Sequence, residues 1–204
     1  NYIEQGAAFK SDLYYLAKTL VRGAEERQKP NEKRLREFRE SAMPAVTQHL
    51  FSTAPIHDEL EVVKLTYSLT KLREELGAAD PIVKKILGQE SPEEMATRLV
   101  RTTKLKDVEV RRQLWNGGRA AVDASNDAMM LVAKIVDPDA RAVRKKYEDE
   151  IESVLKRNSE IIARARFEVN GTGSYPDATF TLRLSYGQVK GYEENGRAVK
   201  PVTA

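Results

Sequence analysis

The sequence predicts a mainly α-helical protein, a multi-helix, bundle-like body that ends in one β-strand or hairpin. Three observations predict it. Apolar residues recur at helical spacing through the first 170 residues, and strict two-residue alternation appears only near the C-terminal end. The composition is 41% hydrophobic and 32% charged but only 7% aromatic. Sandwiches and barrels draw on aromatic and β-branched residues, so this balance excludes them for most of the chain.

The elements follow in order. Phe9, Leu13, Leu16 and Leu20 are spaced by four and three and define a first helix, which Gly23 and then Pro30 should limit. Leu35, Phe38 and Ala42 begin a second apolar stripe, and Pro44 should kink or end it. Val62, Leu65, Leu69, Leu72 and Leu76 give the most regular helical pattern, with Gly77 placed as a C-terminal cap. Asp80-Pro81 opens a short helix that Gly88 closes. Ser91-Pro92-Glu93-Glu94 is a helix start in which serine caps, proline suits the first turn and Glu94 completes a capping box. Asp107 caps a helix carrying Val110 and Leu114, which should stop at Gly117-Gly118. A further helix is expected from about Asp127 to Val136.

Asp137-Pro138 should then open the longest helix, to about Glu168, with Val143, Tyr147, Ile151, Val154, Ile161 and Ala165 as its stripe. Beyond Asp137, seven acidic and eight basic side chains interleave around that stripe, the pattern of a solvated face laced with i,i+4 pairs. After Val169 the character changes. Phe180, Leu182, Leu184 and Tyr186 alternate with Thr179, Thr181, Arg183 and Ser185, which defines a half-buried strand. Gly187 and Gly191 suggest a turn, with a second short strand through Val189. A lone hairpin is marginal in water, so this strand calls for a sheet supplied from elsewhere.

The residue chemistry is sparse. Lys and Arg total 34 against 31 Asp and Glu, and the basic run Arg144-Lys145-Lys146 is followed at once by Glu148, Asp149 and Glu150. Nucleic-acid binders concentrate positive charge, so no nucleic-acid partner is expected. The absence of cysteine removes disulfides, thiol nucleophiles and Cys-zinc sites. No apolar run approaches about 18 residues, so no membrane span is expected. The chain begins at Asn1 without a signal-peptide pattern and is read as a piece of something longer.

His49 and His57 are the two histidines. His57-Asp58 are neighbours in sequence and point about 100° apart on a helix, so they make no catalytic pair. His57, Asp58 and Glu59 read instead as a helix start. Zinc needs three convergent ligands, and these histidines are a poor beginning for them. Gly171-Thr172-Gly173-Ser174 lacks the Lys-Ser/Thr ending and the following helix of a phosphate loop, and Ser174 lacks a nucleophile elbow. No calcium-loop pattern occurs. Trp115, the single tryptophan, reads as core packing. The residues therefore nominate no catalytic site, no metal site and no cofactor.

One segment is distinctive. Tyr175-Pro176-Asp177-Ala178-Thr179-Phe180-Thr181-Leu182-Arg183-Leu184-Ser185-Tyr186-Gly187, with Val189-Lys190-Gly191-Tyr192 after it, resembles a signature of the dipeptidyl-peptidase 7 and 11 family of bacterial serine peptidases. Leu69-Thr70-Lys71-Leu72-Arg73-Glu74, Asp137-Pro138-Asp139-Ala140-Arg141 and the long charged helix agree with it in style. The resemblance implies a chymotrypsin-like double β-barrel with a helical domain inserted between the barrel halves. Residues 1–170 would be the later part of that helical, cap-like domain. Residues 171–204 would hold the first strand or hairpin of the second barrel, with Phe180, Leu182 and Leu184 in its core and Arg183 on the opposite face.

The resemblance also implies a periplasmic, cell-surface or secreted enzyme that removes dipeptides from peptides with a free N-terminus through a Ser-His-Asp triad. The helical part would cover and gate the cleft. The partners implied are such peptides and the remainder of the same polypeptide, with a homodimer allowed. The triad is expected outside this chain, because no Gly-Asn-Ser-Gly-Ser turn occurs here and neither His49 nor His57 sits in a matching motif. No catalytic or substrate-binding residue is carried over, and the chain alone should be inactive. The alternative from the residues is a stand-alone, non-catalytic helical binding or scaffold module, which would have no use for the amphipathic strand.

Overall fold

A computed structural model describes residues 3–4, 7–171 and 186–202 of the chain. Ser11 starts α1 (Asp12–Glu26) in extended backbone, its hydroxyl accepting the Tyr14 N–H. Phe9 lies ahead of that cap in a 3-10 turn, Ala7–Phe9, and stacks on Tyr14 at 4.2 Å between ring centroids. Gly23 does not limit α1 but lies inside it. A Cβ there would run into the Trp115 ring, so the glycine is a packing notch rather than a helix stop.

Three 3-10 turns follow (Asn31–Lys33, Arg36–Phe38 and Glu40–Ala42), then α2 (Met43–Leu50). Pro44 sits in the first turn of α2 and starts the helix it was expected to end. Its missing N–H is one of the groups that no helix satisfies internally at that position. His57 precedes α3 (Asp58–Leu76), whose Leu65, Leu69 and Leu72 are fully buried while Leu76 is exposed. Asp80 caps α4 (Pro81–Leu87), and Ser91 with Glu94 forms both halves of the capping box of α5 (Pro92–Thr102).

Asp107 caps α6 (Val108–Ala124). Gly118 has non-helical φ 58° and ψ −143°, so the helix breaks at the expected glycine pair, and a second helical segment runs on from there to Ala124. A positive φ is open to glycine at little cost, which is the sequence reason for a kink at this position. Asp127 caps α7 (Ala128–Tyr147) by accepting the N–H groups of Met129 and Met130. α7 runs straight through the expected break at Val136 and start at Asp137-Pro138. The buried face of Met129, Met130, Val132, Ala133 and Val136 continues to Ala140 across the proline. Packing of that face outweighs the cost of about 3 kcal/mol that an internal proline carries. A π-turn, Glu148–Glu152, and α8 (Ser153–Asn170) complete the helical elements.

The contacts divide the described chain into two units, Asn1–Val154 and Leu155–Ala204. In the first, α1 packs against α6 and α7, and α3 against α5, around one continuous apolar core. Each fully buried Leu in that core contributes about 1.5–3 kcal/mol by leaving water. The second unit holds most of α8 and a hairpin of β1 (Tyr192–Glu194) and β2 (Arg197–Val199), paired Tyr192 with Val199 and Glu194 with Arg197. The hairpin turn is Asn195-Gly196, both at positive φ (51° and 76°), the requirement of a two-residue turn that matches strand twist. Val189 lies outside both strands, and Gly187 and Gly191 precede β1 rather than forming its turn. Of the expected strand from Thr179 to Tyr186, residues 179–185 lie outside the described residues, and Tyr186 is exposed and outside any strand. Among the described residues, no helix is long and apolar enough to cross a membrane.

Two expectations about the long helix change. Ile151, Val154, Leu155, Ile161 and Ile162 are roughly half exposed, so the stripe past Tyr147 is not a buried face among the described residues. The charged face is not uniformly solvated either. Lys145 points to solvent beside Asp149, whereas Arg144 is largely buried in ion pairs.

Candidate functional site

Chemistry-bearing side chains converge in the first unit along the seam between α1 and α7. Arg22, on the buried face of α1, donates from Nε to Asp137 Oδ1 at 2.5 Å and from both Nη atoms to the Glu4 carboxylate. Asp137 faces it one turn before Arg141, whose Nε donates to Asp137 Oδ2 at 2.6 Å. Arg141 Nη1 reaches Glu26 Oε1 at 2.7 Å, and Glu26 also accepts from Lys29 Nζ and the Leu35 N–H. Arg144 extends the chain of charges to Glu37 and Glu148. Arg22, Glu26 and Asp137 are all essentially removed from solvent.

Burial opposes the charge on Arg22, but hydrogen bonds and field from Glu4 and Asp137 win and hold its pKa above the ordinary value. Glu26 shows the mirror case. Burial would raise it, while Lys29, the Leu35 N–H and Arg141 together keep it lowered. Burial, reinforced by the Asp137 charge, pushes the neighbouring Tyr14 phenol well above its usual value. All these ions are mutually neutralised, so the seam is a fixed electrostatic clamp rather than a poised acid or base.

Two further buried ions tie loops to the core. Glu61 on α3 accepts from the Ser11 hydroxyl at 2.6 Å and the Leu13 N–H, and pairs with Lys64. Arg111 on α6 donates to the main-chain carbonyls of Leu50 at 2.7 Å and Ser52 at 2.9 Å. It thereby serves the carbonyl end of α2, where positive charge is favourable. Clefts are shallow. The one beside the start of α5 holds about 350 Å³ and is lined by Arg73, Lys84, Gly88, Glu90, Ser91 and Glu94. Glu94 and Ser91 are already committed to each other there.

The residues weighed from sequence are scattered. His49, in the last turn of α2, meets the Tyr15 ring edge-on at 4.8 Å. His57 is the residue before α3 and makes no side-chain cap. Asp58 pairs with Lys106 at 2.8 Å. Among the described residues neither histidine side chain has a hydrogen-bond partner, and no group of three His, Asp or Glu could hold a metal ion. Trp115 is core, as expected, with the Arg27 guanidinium stacked 4.5 Å over its ring. Gly171 has φ 55°, while residues 172–174 lie outside the described residues. Sequence reasoning missed the clamp because Asp137 before Pro138 reads as a cap and Arg22 beside Gly23 as a helix end. The available signal was an acid and a base on the apolar faces of two adjacent amphipathic helices.

Fold and site together define a mainly helical protein whose strongest polar cluster is structural. The whole chain, residues 1–204, matches the family model described as Peptidase S46. The chain therefore belongs to that family, the serine peptidases of the dipeptidyl-peptidase 7 and 11 group, and is a peptidase-related protein. No curated protein matches it.

Proposed function

We propose that this chain is the helical part of a serine exopeptidase that releases dipeptides from free N-termini, and that the helices cover and gate the catalytic cleft. The observation that carries this reading is the family match across residues 1–204, joined to a helical body whose buried charges between α1 and α7 are consumed in fixed pairs. A rigid clamp between α1 and α7 suits a body that must move as one piece over a cleft. Residues 171–204 begin the second barrel, the triad lies elsewhere in the polypeptide, and the enzyme works in the periplasm or at the cell surface. Its partners are peptides with a free N-terminus and the remainder of the same polypeptide, in a monomer or homodimer.

The test uses the intact enzyme and fluorogenic substrates one, two or three residues long, each with the N-terminus free or blocked. Release from free dipeptidyl substrates alone is expected. Equal cleavage of blocked or longer substrates would overturn the exopeptidase reading. No cleavage by folded protein would move the reading to a non-catalytic binding module.

A further inference from the structure

Ile3 and Glu4 precede α1 and lie against it through two side chains of opposite character. Ile3 is buried beside an apolar crevice lined by Ile82 and Ile86 of α4 and Ile135 and Val136 of α7. Glu4 enters a cationic seat. Both Nη atoms of Arg22 donate to its two oxygens, Lys18 Nζ stands 3.6 Å from Oε2 and Arg144 Nη1 stands 3.7 Å from Oε1. Lys18 Nζ also donates to the Glu4 main-chain carbonyl at 2.6 Å.

The seat is lopsided. Arg22 has a second carboxylate in Asp137, and Arg144 has Glu37 and Glu148. Among the described residues, Lys18 has no acidic partner except Glu4. Withdrawing Glu4 therefore leaves three cations converging on a vacant oxyanion position, with a planar guanidinium fork already held at its base by Asp137. Such a fork suits planar or tetrahedral oxyanions through two parallel N–H donors. Among the described residues, Ile3 and Glu4 are held by one carboxylate, one buried isoleucine and one main-chain carbonyl, so opening here breaks fewer contacts than opening the core beneath.

We propose that residues 3–4 form a latch, and that the Arg22, Lys18 and Arg144 seat is an oxyanion-binding site occupied by Glu4 when the latch is closed. An external oxyanion takes the seat when the latch opens, and opening lifts Ile3 from the seam between α4 and α7. The seat thus couples a small anionic ligand to the packing of α1, α4 and α7, independently of the peptidase reading.

Hydrogen exchange on the full chain tests this, with wild type and Glu4→Gln compared with and without inorganic phosphate. In E4Q, peptides covering residues 3–11 should exchange about tenfold faster or more, the scale of one lost charged hydrogen bond, while α3 keeps wild-type protection. Phosphate should then restore protection around Arg22 and Arg144 in E4Q. In wild type, where no variant is needed, phosphate should compete with Glu4 and speed exchange in residues 3–11 more than chloride at equal ionic strength. Unchanged exchange of residues 3–11 in E4Q would overturn the latch. Uniform acceleration throughout the first unit would also overturn it, by showing that Glu4 supports only global stability. Phosphate without effect on either protein would overturn the oxyanion seat.

Discussion

Replacing Asp137 by Asn separates a buried clamp from a helix cap. The side chain is almost fully buried and accepts from Arg22 Nε on one oxygen and Arg141 Nε on the other. Asparagine keeps the volume but removes the charge and turns one acceptor into a donor facing a guanidinium. Breaking a buried pair by removing one partner costs about 3–5 kcal/mol. Arg22 keeps Glu4 and Arg141 keeps Glu26, so the loss should fall at the lower end, about 3 kcal/mol. A domain of this size loses about 2–4 °C per kcal/mol, which makes the Tm drop about 6–12 °C. Were Asp137 only a cap at the start of a helix, the cost would be about 1 kcal/mol. The control is Asp139→Asn, whose partner Lys85 is solvent-exposed and whose loss should cost less than about 1 kcal/mol. Urea and thermal unfolding of the three proteins, with Arg22→Met completing a double-mutant cycle, give the comparison. A D137N loss no larger than that of D139N, or no coupling to Arg22, would refute the clamp.

Three other outcomes follow from the same structure. Glu26 and Glu61 have folded pKa values below the ordinary 4.5 despite burial, so the stability they contribute is present above that value and disappears as the pH falls through the lowered ones. Melting from about pH 6 to about pH 3 should show a steep acid loss that Glu61→Gln flattens; parallel curves would contradict it. Gly23→Ala should destabilise by about 1–3 kcal/mol because the new methyl meets Trp115, whereas an unhindered helical Gly→Ala would stabilise; the sign of the Tm change decides. Arg144→Ala should cost clearly more than Lys145→Ala, since Arg144 is held by Glu37 and Glu148 and Lys145 is open to water; equal losses would return that face to simple solvation.

Helices were legible where pattern and punctuation agreed. The spacing of Leu65, Leu69 and Leu72, the Ser91 capping box, the Asp107 cap and the helix start near Asp127 carry over directly, because local pattern and hydrogen bonds decide them. Breakers were less legible. Gly23 and Pro138 sit inside helices because tertiary packing, against Trp115 and along the Met129 to Ala140 face, outweighs their intrinsic penalty. Pro44 was ambiguous between the end of one helix and the first turn of the next. Asn195-Gly196 is the strongest short hairpin signal in the chain, yet the more numerous glycines upstream drew the expected turn to Gly187 and Gly191. The clamp was hidden for a different reason. Periodicity reports which residues are apolar, not which charges are buried, and Arg22 and Asp137 are 115 residues apart.

The chain belongs to a serine peptidase family, and we propose that the catalytic serine lies outside residues 1–204. Labelling the intact, folded enzyme with a serine-directed fluorophosphonate, followed by peptide mapping, tests it most directly. A single labelled serine beyond residues 1–204, and none within them, is the expected result. A labelled serine inside this chain, or no labelled serine anywhere in folded protein, would contradict it.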